Sequence, residues 1–258
     1  RRHFATPKLW HRMRKVPMRG AAGAVINATP VSALNLGLGF LKGFTDRYGA
    51  GGDVGPTLKR VAPWLGATSL INLHELSLEK WPSNEPLVPG IGYLNGRDHG
   101  FLPESEIDQL CLHDMRNYLP GDILAKVDRA SMAVSLETRI PLLDPDVVRF
   151  AMTLPEELRM KDAKGKLILR ELLKRDVPQE MFDRPKTGFS PPLESWLLGP
   201  LREWAEDLLS PARLESHGLL DTQRVRDFWS RYQRGGTMEE ARLWSVLQLQ
   251  SWMAARSL

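Results

Sequence analysis

With 258 residues, 42% hydrophobic and 26% charged, the chain has the composition of an ordinary globular protein and ample apolar material for a core. Its 35 lysines and arginines against 31 acids leave a net charge of only +4, and no basic stripe interleaved with aromatics accompanies it, which argues against a nucleic-acid binder. A single cysteine, Cys111, excludes an internal disulfide and fits a reducing, cytoplasmic setting.

The chain opens on Arg1-Arg2-His3-Phe4 rather than methionine, which reads as a piece of something longer or a processed product. Residues 7–62 suggest two or three helices with small-residue faces, broken near Pro17, Pro30 and the glycine cluster Tyr48–Pro56. The stretch Gly20–Leu41 carries no charge and follows a basic arm. It is rich in Ala and Gly and holds Asn27, Pro30 and Asn35, so closely packed helices are expected rather than a membrane span. Residues 63–103 read as a long irregular region, punctuated by Trp81-Pro82 and Pro89-Gly90.

From Pro103 onward the helical pattern tightens. Ser105 is a start signal, and Ile107, Leu110, Cys111, Met115 and Tyr118 share one face. Pro120-Gly121 is expected to stop that helix. Asp122 would cap the next, with Ile123, Leu124, Val127, Ala130 and Val134 facing a core. Asp144-Pro145 combines an N-cap acceptor with proline at the first helical position, and Val147, Val148, Ala151 and Met152 would pack inward. Further helices are expected at 166–174, just after Pro178, and at 193–209, 222–234 and 238–255, with a loop at 184–192. Five tryptophans, Trp196, Trp204, Trp229, Trp244 and Trp252, recur on helical faces and read as packing residues. No alternating strand pattern stands out, so the fold is expected to be mainly α.

Two segments carry chemistry. Asp128-Arg-Ala-Ser-Met-Ala-Val-Ser-Leu-Glu-Thr-Arg-Ile-Pro-Leu-Leu-Asp144 places Asp128, Arg129, Glu137 and Arg139 among apolar residues. Charges in such company are costly to bury unless paired. They either form ion pairs that pin a turn or face a cleft and orient a charged substrate. Arg184-Pro-Lys-Thr-Gly-Phe189 is a short loop carrying Lys186, which either is a solvated loop lysine or reaches the anionic oxygens of a phosphoryl centre. Lys164-Gly165-Lys166, before a helix, reads as a solvated turn or a phosphate contact. Cys111 and His113 share a short spacing, but no second pair completes a metal site, so no metal ligand is assigned. No nucleotide-cradling glycine loop is found, and Gly49–Gly55 reads as a turn.

The run Tyr118–Asp144 resembles the glutamine-hydrolysing asparagine synthetases. Lys166–Leu173, Arg184–Leu197 and Leu243–Trp252 follow in that family's order, and the resemblance is specific over residues 104–255. It implies the C-terminal helical part of an α/β synthetase domain related to the ATP pyrophosphatases, with residues 1–103 an upstream helical and partly irregular segment. It also implies Mg2+-ATP activation of the aspartate side chain to β-aspartyl-AMP, attack by glutamine-derived ammonia, a partnering glutaminase domain and a possible homodimer. On this chain the resemblance makes Lys186 the loop lysine that contacts pyrophosphate. Arg129 and the Glu137–Arg139 pair become part of the wall around aspartate and nucleotide, beside Asp128. The nucleotide loop and its acidic companion motif are missing, so ATP and Mg2+ would be held mainly by parts outside this sequence. Two other readings stand beside this one: a non-catalytic helical interaction module, and a relative that amidates or cyclises another carboxylate.

Overall fold

The computed structural model describes residues 2–38, 54–79, 81, 86–90, 103–162, 164–184, 191–234 and 240–256. Contacts divide the chain into two compact units. One combines Arg1–Ala22, Trp64–Ser77 and Asp98–Lys186; the other combines Gly23–Pro63, Leu78–Arg97 and Thr187–Leu258. The fold is mainly α, with a single two-stranded sheet among the described residues.

The first helices are α1 (Arg2–Met13), α2 (Arg19–Ala28), α3 (Val31–Leu38) and α4 (Val54–Leu65). Pro30 stands directly before α3, where a missing N–H costs nothing. Gly55 lies so close to the Val31 carbonyl and the Asn35 side chain that an added Cβ would sit 2.8 Å from each. The Gly55 N–H donates to Asn35 Oδ1 at 2.6 Å, fixing that approach. Among the described residues no helix is long and apolar enough to cross a membrane.

Helix α5 (Leu70–Leu78) falls inside the region expected to be irregular. Its start signal is Ser69, whose hydroxyl accepts from the Asn72 N–H at 3.0 Å. Leu70, Ile71, Leu73 and His74 are buried on it. Helix α6 (Glu106–Arg116) begins at Ser105 as expected: the hydroxyl accepts from the Asp108 N–H at 3.3 Å, with acids in the first turn and His113 and Arg116 in the last. Ile107, Leu110 and His113 are buried, and the first unit's core gathers here from Leu70, Ile71 and Leu110. A neighbouring cluster joins Met13, Ala67 and Leu73.

Pro120-Gly121 does not stop the chain's helical course. A π turn (Leu119–Leu124) follows α6 and runs straight into α7 (Ala125–Met132). Pro120 is tolerated because it stands in the first turn, where its missing N–H has no partner to lose. Asp122 does not cap the next helix; its carboxylate is ion-paired to Lys126 one turn on. The expected inward face is also corrected. Ile123, Val127 and Val134 are exposed, Val134 by 75%, and Ala130 is exposed as well. The residues carry the right periodicity, but nothing described covers them.

A 3-10 turn (Pro141–Leu143) leads to α8 (Pro145–Thr153), capped as expected by Asp144, which accepts from the Asp146 N–H at 2.8 Å. Val148, Ala151 and Met152 are half-buried, whereas Val147 and Phe150 are exposed. Then come α9 (Glu156–Arg159), the strands β1 (Met160–Lys161) and β2 (Lys164–Gly165), α10 (Leu167–Leu173) and α11 (Gln179–Phe182). The antiparallel pair sets Met160 opposite Gly165 and Lys161 opposite Lys164. Two residues per strand are too few for alternation to register in sequence.

The stretch expected as one helix at 193–209 is two, α12 (Leu193–Leu198) and α13 (Arg202–Leu208), because Pro200 cannot donate in a helix interior. Gly199 sits at the break, where a Cβ would lie 2.7 Å from the Ser195 carbonyl. Helix α14 (Pro211–His217) ends on Gly218 at φ +59°, a left-handed C-terminal position. Helices α15 (Thr222–Gln233) and α16 (Glu240–Ala254) follow, as the sequence predicts. The second unit's core is built on these. Leu197, Leu209, Leu214, Trp229, Leu243 and Leu247 are fully buried, with Trp204 and Trp244 packed on the cluster. Trp196 and Trp252 stay exposed.

Candidate functional site

An open depression of about 460 Å³ lies in the first unit, lined by the end of the π turn, α7 and the extended segment that follows it. Leu124, Val127, Ile140 and Leu143 give it apolar walls; Asp128, Thr138 and Arg139 give it polar groups. The local sequence explains the shape. Residues 133–135 end α7, with Ser135 at φ +58°, so the chain reverses and runs extended towards Ile140. The Leu136 N–H, hydrogen-bonded to the Ser131 carbonyl at 3.0 Å, ties the reversal down. Pro141 then keeps Ile140 out of the helical region. Thr138, Arg139 and Ile140 are thereby returned alongside Asp128.

The Arg139 guanidinium meets the Glu137 carboxylate at 2.5 Å, and both side chains are largely exposed. A pair so open to water contributes little to stability. It does hold a planar five-donor fork at the rim of an apolar-walled depression, the geometry suited to a carboxylate or phosphate. Close by, Lys126 is held by Asp122, and that hydrogen bond raises the ammonium above the ordinary lysine value. Its charge is thus committed to Asp122.

The structure brings Asp128 and Arg139 onto one lining, with Glu137 attached through Arg139. Arg129 is exposed on α7 and is not among the lining residues. Lys186 lies outside the described residues. The nearby Lys164-Gly165-Lys166 turn is tied internally: Lys164 and Arg170 both reach Asp183, at 3.1 and 3.2 Å. The hydrogen bond from Lys164 is the main reason the Asp183 carboxyl is held below its usual value.

A second cluster was not legible in the sequence. His74 on α5 and His113 on α6 are buried, and their partners are crossed: His74 Nε2 meets Asp114 Oδ1 at 3.0 Å, and His113 Nε2 meets Glu75 Oε1 at 3.3 Å. The only trace in the sequence is two histidine–acid dipeptides, His74-Glu75 and His113-Asp114, on different helices.

The asparagine synthase family model matches residues 43–254, most of the chain and all of the depression's lining. The chain belongs to the asparagine synthase family. A provisionally named glutamine-hydrolyzing asparagine synthetase of Mycobacterium bovis is 36% identical over 142 residues, 55% of this chain and 22% of the relative. Glutamine-hydrolyzing asparagine synthetase 1 of Bacillus subtilis is 34% identical over 113 residues, 44% of this chain and 18% of the relative. Amidase chry2 of Gibberella zeae is 29% identical over 120 residues, 44% of this chain and 18% of the relative. The matched stretch thus spans about a fifth of the length of these asparagine synthase relatives. No solved structure matches the chain.

Proposed function

We propose that this chain is the C-terminal helical part of a glutamine-dependent, amide-forming synthetase domain. In this reading, ATP with Mg2+ activates the side-chain carboxylate of aspartate to β-aspartyl-AMP, and ammonia released from glutamine displaces AMP to give asparagine. The observation that carries the proposal is the family match across residues 43–254, which contains the Asp128–Arg139 depression. Arg139 is suited to hold the acceptor carboxylate as a bidentate partner, and Glu137 keeps its fork aligned until that carboxylate arrives. Asp128 belongs to the same wall in this reading, Arg129 stands next to it on α7 outside the lining, and Lys186 carries the charge that meets pyrophosphate as it leaves.

The residues described fit the acceptor end better than the nucleotide. Asp128 is the one carboxylate among the lining residues, and the sequence carries no glycine loop of the kind that cradles a nucleotide's phosphates. We therefore assign ATP and Mg2+ chiefly to residues outside this sequence, together with the glutaminase.

The test uses protein expressed from the full coding sequence. Lys186→Ala should cut pyrophosphate release by roughly two orders of magnitude, as for the loss of one transition-state charge contact. Unchanged turnover would remove Lys186 from the reaction. A second reading, amidation of another carboxylate, is favoured by the amidase name among the relatives. Pyrophosphate release that needs a carboxylate other than aspartate would select it. Isothermal titration with ATP and aspartate that gives heat from neither would instead favour a helical interaction module.

A further inference from the structure

We propose that His74, His113 and Asp114 form a binding site for a divalent cation of the zinc class, joining α5 to α6. The three residues present ligand atoms that all lie within 4.8 Å of one another. Asp114 Oδ1 stands at the middle of the set, 3.0 Å from His74 Nε2 and 3.8 Å from His113 Nδ1. A cation with bonds of about 2.0–2.2 Å at tetrahedral angles spaces its ligands about 3.4 Å apart, so closing around it needs only small side-chain movements. The two rings stand edge to face, with centroids 5.3 Å apart and planes at 86°, and so do not stack across the position the cation would take.

The hydrogen bonding selects the ligand atoms. A carboxylate can only accept, so His113 Nε2–H donates to Glu75 Oε1 at 3.3 Å. In the neutral ring this leaves the lone pair on Nδ1, the nitrogen that faces Asp114. A carboxylate on the far nitrogen also fixes the orientation of the ring, as outer partners of histidine ligands do. His74 Nε2 hydrogen-bonds Asp114 directly; on binding, the neutral ring carries its one proton on Nδ1 instead, and Nε2 and Asp114 Oδ1 both turn to the cation.

Burial and donor type decide the class of cation. His74 is fully buried and His113 nearly so, while Asp114 keeps 26% of its side chain exposed and supplies the approach from solvent. Two imidazoles and one carboxylate suit zinc and its neighbours, whereas Mg2+ and Ca2+ require oxygen ligands. The site is therefore distinct in chemistry from any cation carried by ATP. Its effect is structural: binding to the folded state alone stabilises that state by mass action.

The experiment is titration of the untagged full chain with Zn2+, followed by calorimetry and melting, and with Co2+, followed by visible absorption. The expected result is a single equivalent bound, a raised melting temperature, and cobalt bands of a low-coordinate nitrogen and oxygen site without sulfur charge transfer. Glu75→Gln should weaken binding roughly 10–100-fold. Asp114→Asn, nearly isosteric, should weaken it further while the cation-free protein still melts cooperatively. The proposal is overturned if the wild type takes up no stoichiometric Zn2+. It is equally overturned if Asp114→Asn binds as tightly as wild type, or if Cys111→Ser abolishes binding, because the cation would then sit elsewhere.

Discussion

Residues 117–184 and residues 193–254 are both helical, both patterned with apolar residues at helical spacing, and end up in opposite states. In the second stretch α12 to α16 close around Trp229, and Leu197, Leu209, Leu214, Leu243 and Leu247 lose all contact with solvent. In the first, no described residue is buried, and Met132, Val134, Leu136, Leu142, Phe150 and Leu172 are each more than half exposed. The depression with Asp128 and Arg139 belongs to the exposed stretch. Periodicity tells which face of a helix is apolar; it does not tell what covers that face. The stretch that carries the candidate chemistry is thus the one whose packing is least supplied by its own residues.

The contrast can be broken most easily at Trp229. Trp229→Ala should cost about 3–5 kcal/mol, by emptying the centre of the second core, and denaturant unfolding would measure it. A loss near zero would mean that this core does not hold its unit together.

Glu206 gives a smaller and pH-dependent handle on the same region. Its carboxylate accepts from the Trp229 indole and pairs with Arg226 at 2.7 Å. Burial pushes its pKa up, but the hydrogen bonds from Trp229 and Arg226 outweigh that and leave it below the ordinary glutamate value of 4.5. A depressed folded pKa means the contribution is present above the ordinary value and lost as pH falls through the folded one. Glu206→Gln should therefore lower stability near neutral pH by no more than about 1 kcal/mol, since nearly half the side chain is exposed and screened. The gap between variant and wild type should close on acidification, as pH falls below 4.5 and through the lower folded value. A gap that widens in acid would mean that the folded pKa of Glu206 is raised rather than lowered. Tyr232 lies in the same core, and burial, assisted by Glu240 and Glu194, pushes its hydroxyl up to about 12. It stays neutral throughout that range.

The smallest effect sharpens the contrast from the other side. Val134→Ser, at a position 75% exposed, should change stability by less than about 0.5 kcal/mol. A loss well above 1 kcal/mol in protein made from the full coding sequence would show that something covers this face there.

What could be read beforehand follows local chemistry. Ser105 and Asp144 announce their helices because capping is a contact within one turn. Helices α15 and α16 announce themselves through long periodic runs. Pro120 misled because the same residue breaks a helix interior and suits a first turn, and its place was not evident before the π turn was seen. Helix α5 hid among prolines and glycines on either side, although Ser69 and the Leu70–Leu73 run were present. The Glu137–Arg139 pair was foreseeable as two charges one residue apart in an extended turn. Placement of Asp128 against Arg139 depends on the chain reversal at Ser135, a left-handed position that no glycine marks. The His74–Asp114 contact joins residues 40 apart, and nothing local encodes it.

In the proposed function, the Arg139 fork in this depression holds the carboxylate that becomes an amide. The direct measurement is ATP-dependent pyrophosphate release by the protein from its full coding sequence, wild type against Arg139→Gln, with melting followed in parallel. The expected result is a loss of roughly 100-fold with an unchanged melting temperature, the size expected for one electrostatic contact to the reacting group. Wild-type turnover in the folded variant would contradict it.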